Sequence, residues 1–197
     1  MRVYLLGASG VGKSTLSLLV QKPIGLIRLG SASREVLEEM GINPKDFRHD
    51  LALANEFQER VWRKQEEMEK IVGDNFISDR AFDALAYTTM QATCAWKIAR
   101  SDFFARQVNE LRYGDRVFTF FIRPDRKVWQ VACEQAAARG DVQSHWLDWD
   151  SVVAVDAMLK IVLESNDVPY IPVSSPCLQT RERQVVNTLK QLKRYCK

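Results

Sequence analysis

Residues Gly7-Ala8-Ser9-Gly10-Val11-Gly12-Lys13-Ser14 meet every fixed position of G-x-x-x-x-G-K-[ST], with the apolar run Val3 to Leu6 before them and Thr15 behind. Glycine at 7, 10 and 12 lets the chain take positive φ and bring successive backbone N–H groups close to a di- or triphosphate. Lys13 is then placed to reach the β- and γ-phosphates and Ser14 to set its hydroxyl on Mg²⁺. The helix beginning near Gly12 aims its positive end at the anion. The alternative is a Gly/Ser turn that fits the pattern by chance, and it is disfavoured because strand and helix stand on the correct sides. The expected cofactors are ATP and Mg²⁺, with Gly7, Ser9, Gly10, Val11, Gly12, Lys13, Ser14 and Thr15 as the nucleotide cradle.

The rest of the chain reads as alternating strands and helices. Ser14 to Gln21 is the first helix, ended by Lys22-Pro23. Ile24 to Leu29 is the second strand, and Arg34 to Met40 a short helix with a cap offered by Ser31-Ala32-Ser33 and a stop at Gly41. From Asp50 to about Val72 apolar residues recur at helical spacing among charges, giving a long amphipathic helix. Asn75 to Ser78 is a very short third strand leading into Asp79-Arg80, and Phe82 to Arg100 reads as one helix. Ser101-Asp102 caps a further helix to Arg112, and Val117 to Ile122 has the largely apolar character of a central parallel strand. The region Val128 to Ser144 is partly helical, Asp148 or Asp150 starts a helix to about Ser165, Val168 to Val173 is an edge strand because of its prolines, and Gln179 to Tyr195 is the last helix. This order predicts an α/β, three-layer fold: a mostly parallel five-stranded sheet with helices on both faces.

At 197 residues, with no internal repeat or linker, residues 1–197 suit a single domain, with a lid segment expected at about 123–147. Apolar residues at 46% and charged residues at 27% indicate neither disorder nor a membrane protein. No apolar run has the length of a membrane span, and the N-terminus is already strand and phosphate loop, so a cytoplasmic location is expected. Cys94, Cys133, Cys177 and Cys196 stand singly, with only His49 and His145 as imidazoles, which argues against zinc and a disulfide framework. A net charge of +3 permits an anionic substrate but does not by itself argue for nucleic acid.

In open α/β sheets ligands bind beyond the carboxyl ends of the strands, so the phosphate loop, Ser31/Ser33/Arg34, Asp79-Arg80 and Arg123-Asp125-Arg126 are expected on one rim. Asp79 suits a Mg²⁺-linked carboxylate or a base taking a proton from an acceptor hydroxyl; as an alternative it caps the segment that follows. Arg80, Arg123, Arg126 and Arg139 are candidates to surround the moving phosphoryl group, against a solvated loop as the plain reading of the last three. Arg80, Asp83 and Tyr87 share a helix face able to line an acceptor site. Gln58 has an amide suited to a nucleobase edge, or simply faces solvent. Trp129, Trp146 and Trp149 lie in or beside a basic segment and could stack on bases, though tryptophan is more often core; the basic last helix is most simply a solvated outer face.

Taken together, Gly7 to Thr15 and Ser78-Asp79-Arg80-Ala81-Phe82-Asp83-Ala84-Leu85-Ala86-Tyr87 resemble the P-loop nucleoside and nucleotide kinases. The likeness is closer to a group of small AAA-labelled kinases common in bacteriophage genomes, in which the loop is followed by an arginine-bearing helix, a long helix with a Phe-Gln pair and D-R-s-x-x-D-x-x-a-Y. The matching residues are Arg34, Phe57-Gln58, and Asp79-Arg80 with Asp83 and Tyr87. The resemblance implies Asp79, Lys13 and Arg80 as catalytic, Ser14 and Asp79 at the metal, and Arg34, Gln58, Arg80, Asp83 and Tyr87 at the acceptor. Independently of the resemblance, the charge on a moving phosphoryl group makes Arg123, Arg126 and Arg139 the candidates to close over the phosphates. Relatives often carry a glutamate three residues before the arginine matched to Arg34; Ser31 stands there in this chain, which moves the acid-base role toward Asp79 or marks a changed substrate site.

Phage members of the group include kinases of 5-hydroxymethyluracil within DNA. The expected activity is therefore ATP-dependent phosphorylation of a hydroxyl on a nucleotide-type acceptor, with that modified DNA base as the favoured case and host cytoplasm as the location if the chain is phage-encoded. A free deoxynucleoside or nucleoside monophosphate is the alternative acceptor. An ATPase switch or DNA-packaging accessory is the alternative of another class, and an inactive nucleotide-binding module a third.

Overall fold

The computed structural model describes residues 1–43, 46–47, 49–81, 85–86, 88, 92–138 and 148–195. Five strands form one sheet: β1 (Arg2–Leu6), β2 (Ile27–Arg28), β3 (Phe76–Ser78), β4 (Val117–Ile122) and β5 (Ile171–Val173), in the order β2-β3-β1-β4-β5. Every pairing is parallel. The helices among the described residues are α1 (Lys13–Ile24), α2 (Ala32–Met40), α3 (Leu51–Val72), α4 (Ala95–Ala99), α5 (Asp102–Tyr113), α6 (Arg126–Ala138), α7 (Trp149–Ser165) and α8 (Leu178–Tyr195). This is the expected three-layer α/β fold.

Strand β1 is central because it can afford no water on either face: Val3, Tyr4, Leu5 and Leu6 are fully buried. It pairs with β4 from Arg2↔Val117 to Leu6↔Phe121, so both strands end at the same rim. Pro172, which has no N–H to give a ladder, lies on the edge strand β5. A second apolar cluster joins α2 to α3 through Val36, Leu37, Ala54, Phe57 and Val61, with Phe47 stacked on Phe57 at a centroid distance of 4.7 Å.

Two element boundaries differ from expectation for physical reasons. Helix α1 runs through Pro23 to Ile24 instead of stopping at Gln21. A proline so near the end removes only one intrahelical bond, and the actual stop is the N–H groups of Gly25 and Leu26, which turn back to the carbonyls of Lys22 and Gln21. Ile24 is thereby used in the helix and β2 shrinks to two residues. The helix expected over Phe82 to Arg100 is not continuous: Asn55 Oδ1 accepts from the backbone N–H of Thr93 at 2.8 Å and of Cys94 at 3.0 Å, breaking the chain before α4. Asp83, Tyr87, Arg139 and Trp146 lie outside the described residues.

Candidate active site

The phosphate loop leaves the carboxyl end of β1 and enters α1 at Lys13. Gly7 has φ 152°, and a side-chain carbon there would stand 2.5 Å from the Ile122 carbonyl oxygen, so only glycine lets the loop rest on the end of β4. Gly10 has φ 76°, and a Cβ there would meet Trp129 Cδ1 at 2.7 Å. The indole of α6 thus lies directly against the loop. Lys13 curls over it, Nζ donating to the carbonyls of Gly7 at 2.7 Å and Ala8 at 2.8 Å. Ser9 and Val11 sit in the turn, Gly12 precedes α1 at φ 89°, and Thr15 is exposed on its first turn.

Asp79 is brought to the loop by β3, which pairs in register with β1 up to Tyr4↔Ser78. Its carboxylate is 8% exposed, and Oδ2 accepts from the Ser14 hydroxyl at 2.5 Å. Arg28, at the end of β2, brings Nη2 to 3.8 Å from the same oxygen while Nε donates to Ser17 Oγ at 2.8 Å. Ser17 in turn donates to the Ser14 carbonyl at 2.9 Å. Arg28 and Ser17 had no place among the candidates. The one signal in the sequence is a lone cation closing an otherwise apolar strand.

Arg80 follows Asp79 and points across to α2, with Nη2 3.4 Å from Ser33 Oγ. Its peptide is pinned by Ser78, whose hydroxyl donates to the Arg80 carbonyl at 2.7 Å and accepts from the Arg80 N–H at 3.2 Å. Buried Gln65 of α3 braces this turn by donating to Ser78 Oγ at 3.2 Å. Ser31 and Ser33 hydroxyls lie 3.1 Å apart at the start of α2. Arg34 is exposed on α2. Gln58 does not face solvent: it is 2% exposed, and Thr88 Oγ1 donates to its Oε1 at 3.3 Å.

Across the rim, the arginines after β4 are not equivalent. Arg123 Nη2 is 2.7 Å from Asp156 Oδ2 on α7, and its guanidinium covers the Phe121 ring at 5.0 Å. Burial pushes the Asp156 carboxyl above the usual range, with Arg123 opposing the shift. Asp125 caps α6 by accepting from Lys127 and Val128 N–H, each at 3.0 Å, and Arg126 is exposed on the first turn. Trp129 also packs against Trp149 at 5.7 Å.

Arg181 departs from the solvated face that Arg183, Lys190 and Arg194 of the last helix present. It is 1% exposed, and its guanidinium donates to the carbonyls of Val11 at 2.6 Å, Arg123 at 3.2 Å and Ser175. Burial lowers its pKa, with Asp125 opposing. One side chain therefore ties α8 to the phosphate loop and to the end of β4. Spacing alone could not separate it from the exposed arginines around it.

The residues fit the expected cofactors. Ser14 and Asp79 put two hard oxygen donors together at the mouth of the loop, the partial shell that Mg²⁺ takes when nucleotide phosphates and waters complete it. No cluster of three or more His, Cys, Asp or Glu side chains suited to a metal occurs among the described residues, and a phosphate-bridged Mg²⁺ needs none. No helix of the described residues is long and apolar enough to cross a membrane.

No protein-family model matches the chain, and no curated protein sequence does either. Solved structures of like fold do. A deoxyadenosine kinase from M. mycoides with bound dCTP aligns over 97% of this chain and 100% of its own, at 17% identity and a TM-score of 0.68. The YorR protein from Bacillus subtilis, in complex with phosphorylated GDP, aligns over 98% of both chains at 12% identity and a TM-score of 0.60. Shikimate kinase from Acinetobacter baumannii, in complex with shikimate, aligns over 100% of this chain and 94% of its own at 15% identity and a TM-score of 0.59. The chain shares the three-layer fold of these P-loop kinases.

Proposed function

We propose that the chain is an ATP-dependent kinase of a small nucleoside-type acceptor, phosphorylating the hydroxyl of a deoxynucleoside or, as the second case, a phosphate oxygen of a nucleoside monophosphate. The observation that carries the reading is the 2.5 Å contact between Ser14 and Asp79 at the mouth of the phosphate loop. It sets a carboxylate where γ-phosphate, metal and acceptor hydroxyl would meet. The loop amides and Lys13 hold the phosphates, Lys13 exchanging the Gly7 and Ala8 carbonyls for phosphate oxygens. Ser14 and Asp79 would hold Mg²⁺, which when bound offsets charge on the phosphate oxygens. Arg28 and Ser17 fix Asp79 and Ser14 from behind. Arg80 and Arg34 present cations toward the acceptor side, and α6 acts as the lid, bringing Arg126 with it.

A small acceptor is favoured over modified DNA. Trp129 and Trp149, candidates for stacking on bases, pack on each other, Trp129 also lies against Gly10, and Arg181 of the basic last helix is buried. The deoxyadenosine kinase of like fold is solved with bound deoxynucleotides, dCTP and dATP.

Labelled ATP offered with free deoxynucleosides, nucleoside monophosphates, plain DNA and 5-hydroxymethyluracil DNA tests the reading. Label is expected on a monomer and absent from both DNAs. Label on hydroxymethyluracil DNA alone would restore the DNA acceptor, and label released only as inorganic phosphate would point to an ATPase switch.

A further inference from the structure

Helix α8 has two unlike faces. Arg181, Val185, Val186 and Leu189 are buried on the side of α1 and β5, while Arg183, Asn187, Lys190 and Arg194 form one exposed stripe at helical spacing. Helix α1 packs alongside, and Lys193 ties the two helix ends together by donating to the Ile24 carbonyl at 2.6 Å. Lys22 is exposed on that last turn of α1. Setting aside Lys13 and Arg181, which serve the phosphate loop, α1 and α8 carry five Lys or Arg residues against one acid, the half-buried Glu182. That excess is larger than the +3 of the whole chain, so the basicity of the protein is gathered on these two helices.

The cations of the stripe also lack the partners that cations have on α3. There Arg60 pairs with Glu56 at 2.5 Å, Lys64 with Glu39 at 2.7 Å and Lys70 with Glu66 at 2.9 Å. Arg183, Lys190 and Arg194 enter no ion pair among the described residues, and Arg183 donates to Thr180 Oγ1 of its own helix at 3.5 Å. Lys190 and Arg194 stand one turn apart as like charges, an arrangement that disfavours the bare helix surface and that a bound anion relieves. The stripe leads away from the kinase site. Arg181, in the first turn, holds Val11, whereas Lys190 and Arg194 follow roughly 14 and 20 Å further along the helix axis at about 1.5 Å per residue.

We propose that this stripe is a docking surface for the phosphate backbone of a nucleic acid, bound without reading its sequence. Arg183, Lys190 and Arg194 neutralise phosphates, and the amides of Asn187 and Gln191 donate to phosphate oxygens between them. From Arg183 to Arg194 the stripe runs roughly 16 Å, about five phosphates of one strand at about 3.4 Å each. A protein partner fits less well. Helix α8 offers no exposed large apolar side chain among the described residues, and a stable protein interface is centred on buried aromatic or aliphatic anchors. The surface holds the chain on a nucleic acid and takes no part in phosphoryl transfer, so it stands whatever the acceptor is.

Fluorescence anisotropy of the full chain with a labelled duplex of scrambled sequence, titrated at several salt concentrations between about 50 and 200 mM, tests this. Binding in the micromolar range is expected at the lowest salt. The slope of log K against log salt should shrink by about one for each cation removed in Arg183→Gln, Lys190→Gln and Arg194→Gln. The double reversal Lys190→Glu/Arg194→Glu should weaken binding at least tenfold. Arg63→Glu/Lys70→Glu, at exposed positions of α3, makes the same change in net charge and should leave binding within about threefold, with circular dichroism unchanged in both double variants. Equal weakening by the two double variants would reduce the effect to net charge, and displacement of the duplex by ATP would place it at the phosphate loop. Tighter binding of polyglutamate than of the duplex would make this a surface for an acidic protein. Each of these, or no duplex binding at the lowest salt, overturns the proposal.

Discussion

Arg181 Nη1 donates to the carbonyl oxygen of Val11 over 2.6 Å, joining residues 170 positions apart across the interior of the chain. The same guanidinium serves the Arg123 and Ser175 carbonyls, so it organises three loops at the rim with one buried charge. Replacing it with methionine keeps the bulk and leaves those acceptors short of a donor. A loss of about 1–3 kcal/mol of stability is expected, at the scale of an unsatisfied buried group, with weaker ATP binding because the Val11 peptide belongs to the loop. Arg181→Lys should recover only part, since an ammonium cannot reproduce the planar fork. Urea unfolding and calorimetric ATP titration of the two variants check this. Unchanged stability in Arg181→Met would mean the guanidinium does not hold the loop.

Asp79 supplies the group that the proposed transfer requires. Asp79→Asn keeps the shape and removes the negative charge, and a rate loss of about 10²- to 10⁴-fold is expected for a general base. ATP affinity without Mg²⁺ should change little, because loop amides and Lys13 hold the phosphates. If Asp79 works through the metal, raised Mg²⁺ should recover part of the rate; if it works as base, it should not. Full transfer activity in Asp79→Asn would end both roles.

Much of this was legible in the sequence where local chemistry decides the outcome. VFTFFI sets β4 at Val117–Ile122, the bounds expected, because a largely apolar run after Gly114-Asp115 is stable only where both faces of the sheet are covered. Asp50 caps α3 by accepting from Leu53 N–H at 2.9 Å, as a carboxylate before a helical period does. What was not legible depends on tertiary partners. Arg28, Arg123 and Arg181 look alike along the chain, yet one faces Asp79, one is taken by Asp156 and one is buried among carbonyls. Asn55 breaks a promising helix from 38 residues away. Charge pairing across the sheet leaves no periodic mark.

The contact of Trp129 with Gly10 makes the indole a reporter of the loop. ATP binding should change the tryptophan fluorescence, and Trp129→Phe should remove most of that change while the affinity stays within a few-fold. Gly10→Ala attacks the same contact from below. A left-handed backbone costs alanine about 1–2 kcal/mol, and its methyl would press on the indole 2.7 Å away, so ATP should bind at least tenfold more weakly. A titration in which Trp129→Phe keeps the full signal would place the response at another tryptophan.

Glu69 lies behind the sheet, half-buried, and burial raises its carboxyl above the ordinary 4.5 in spite of hydrogen bonds from Gln65 and Tyr4. The folded chain therefore keeps this proton to higher pH than the unfolded chain does. Between 4.5 and the raised value the native state binds more protons, so stability falls as pH rises through that window and the loss is complete above it. Glu69→Gln has no charge to desolvate and still offers an oxygen to the Tyr4 hydroxyl. Its stability should lack this segment of pH dependence, so the gap between Glu69→Gln and the parent chain should move in favour of the variant as pH rises from 4 to 7. Urea unfolding at half-unit intervals across that range reads the gap directly. A gap that stays constant with pH would show that Glu69 titrates alike in both states, leaving Tyr4 and Gln65 bonded to an ordinary carboxylate.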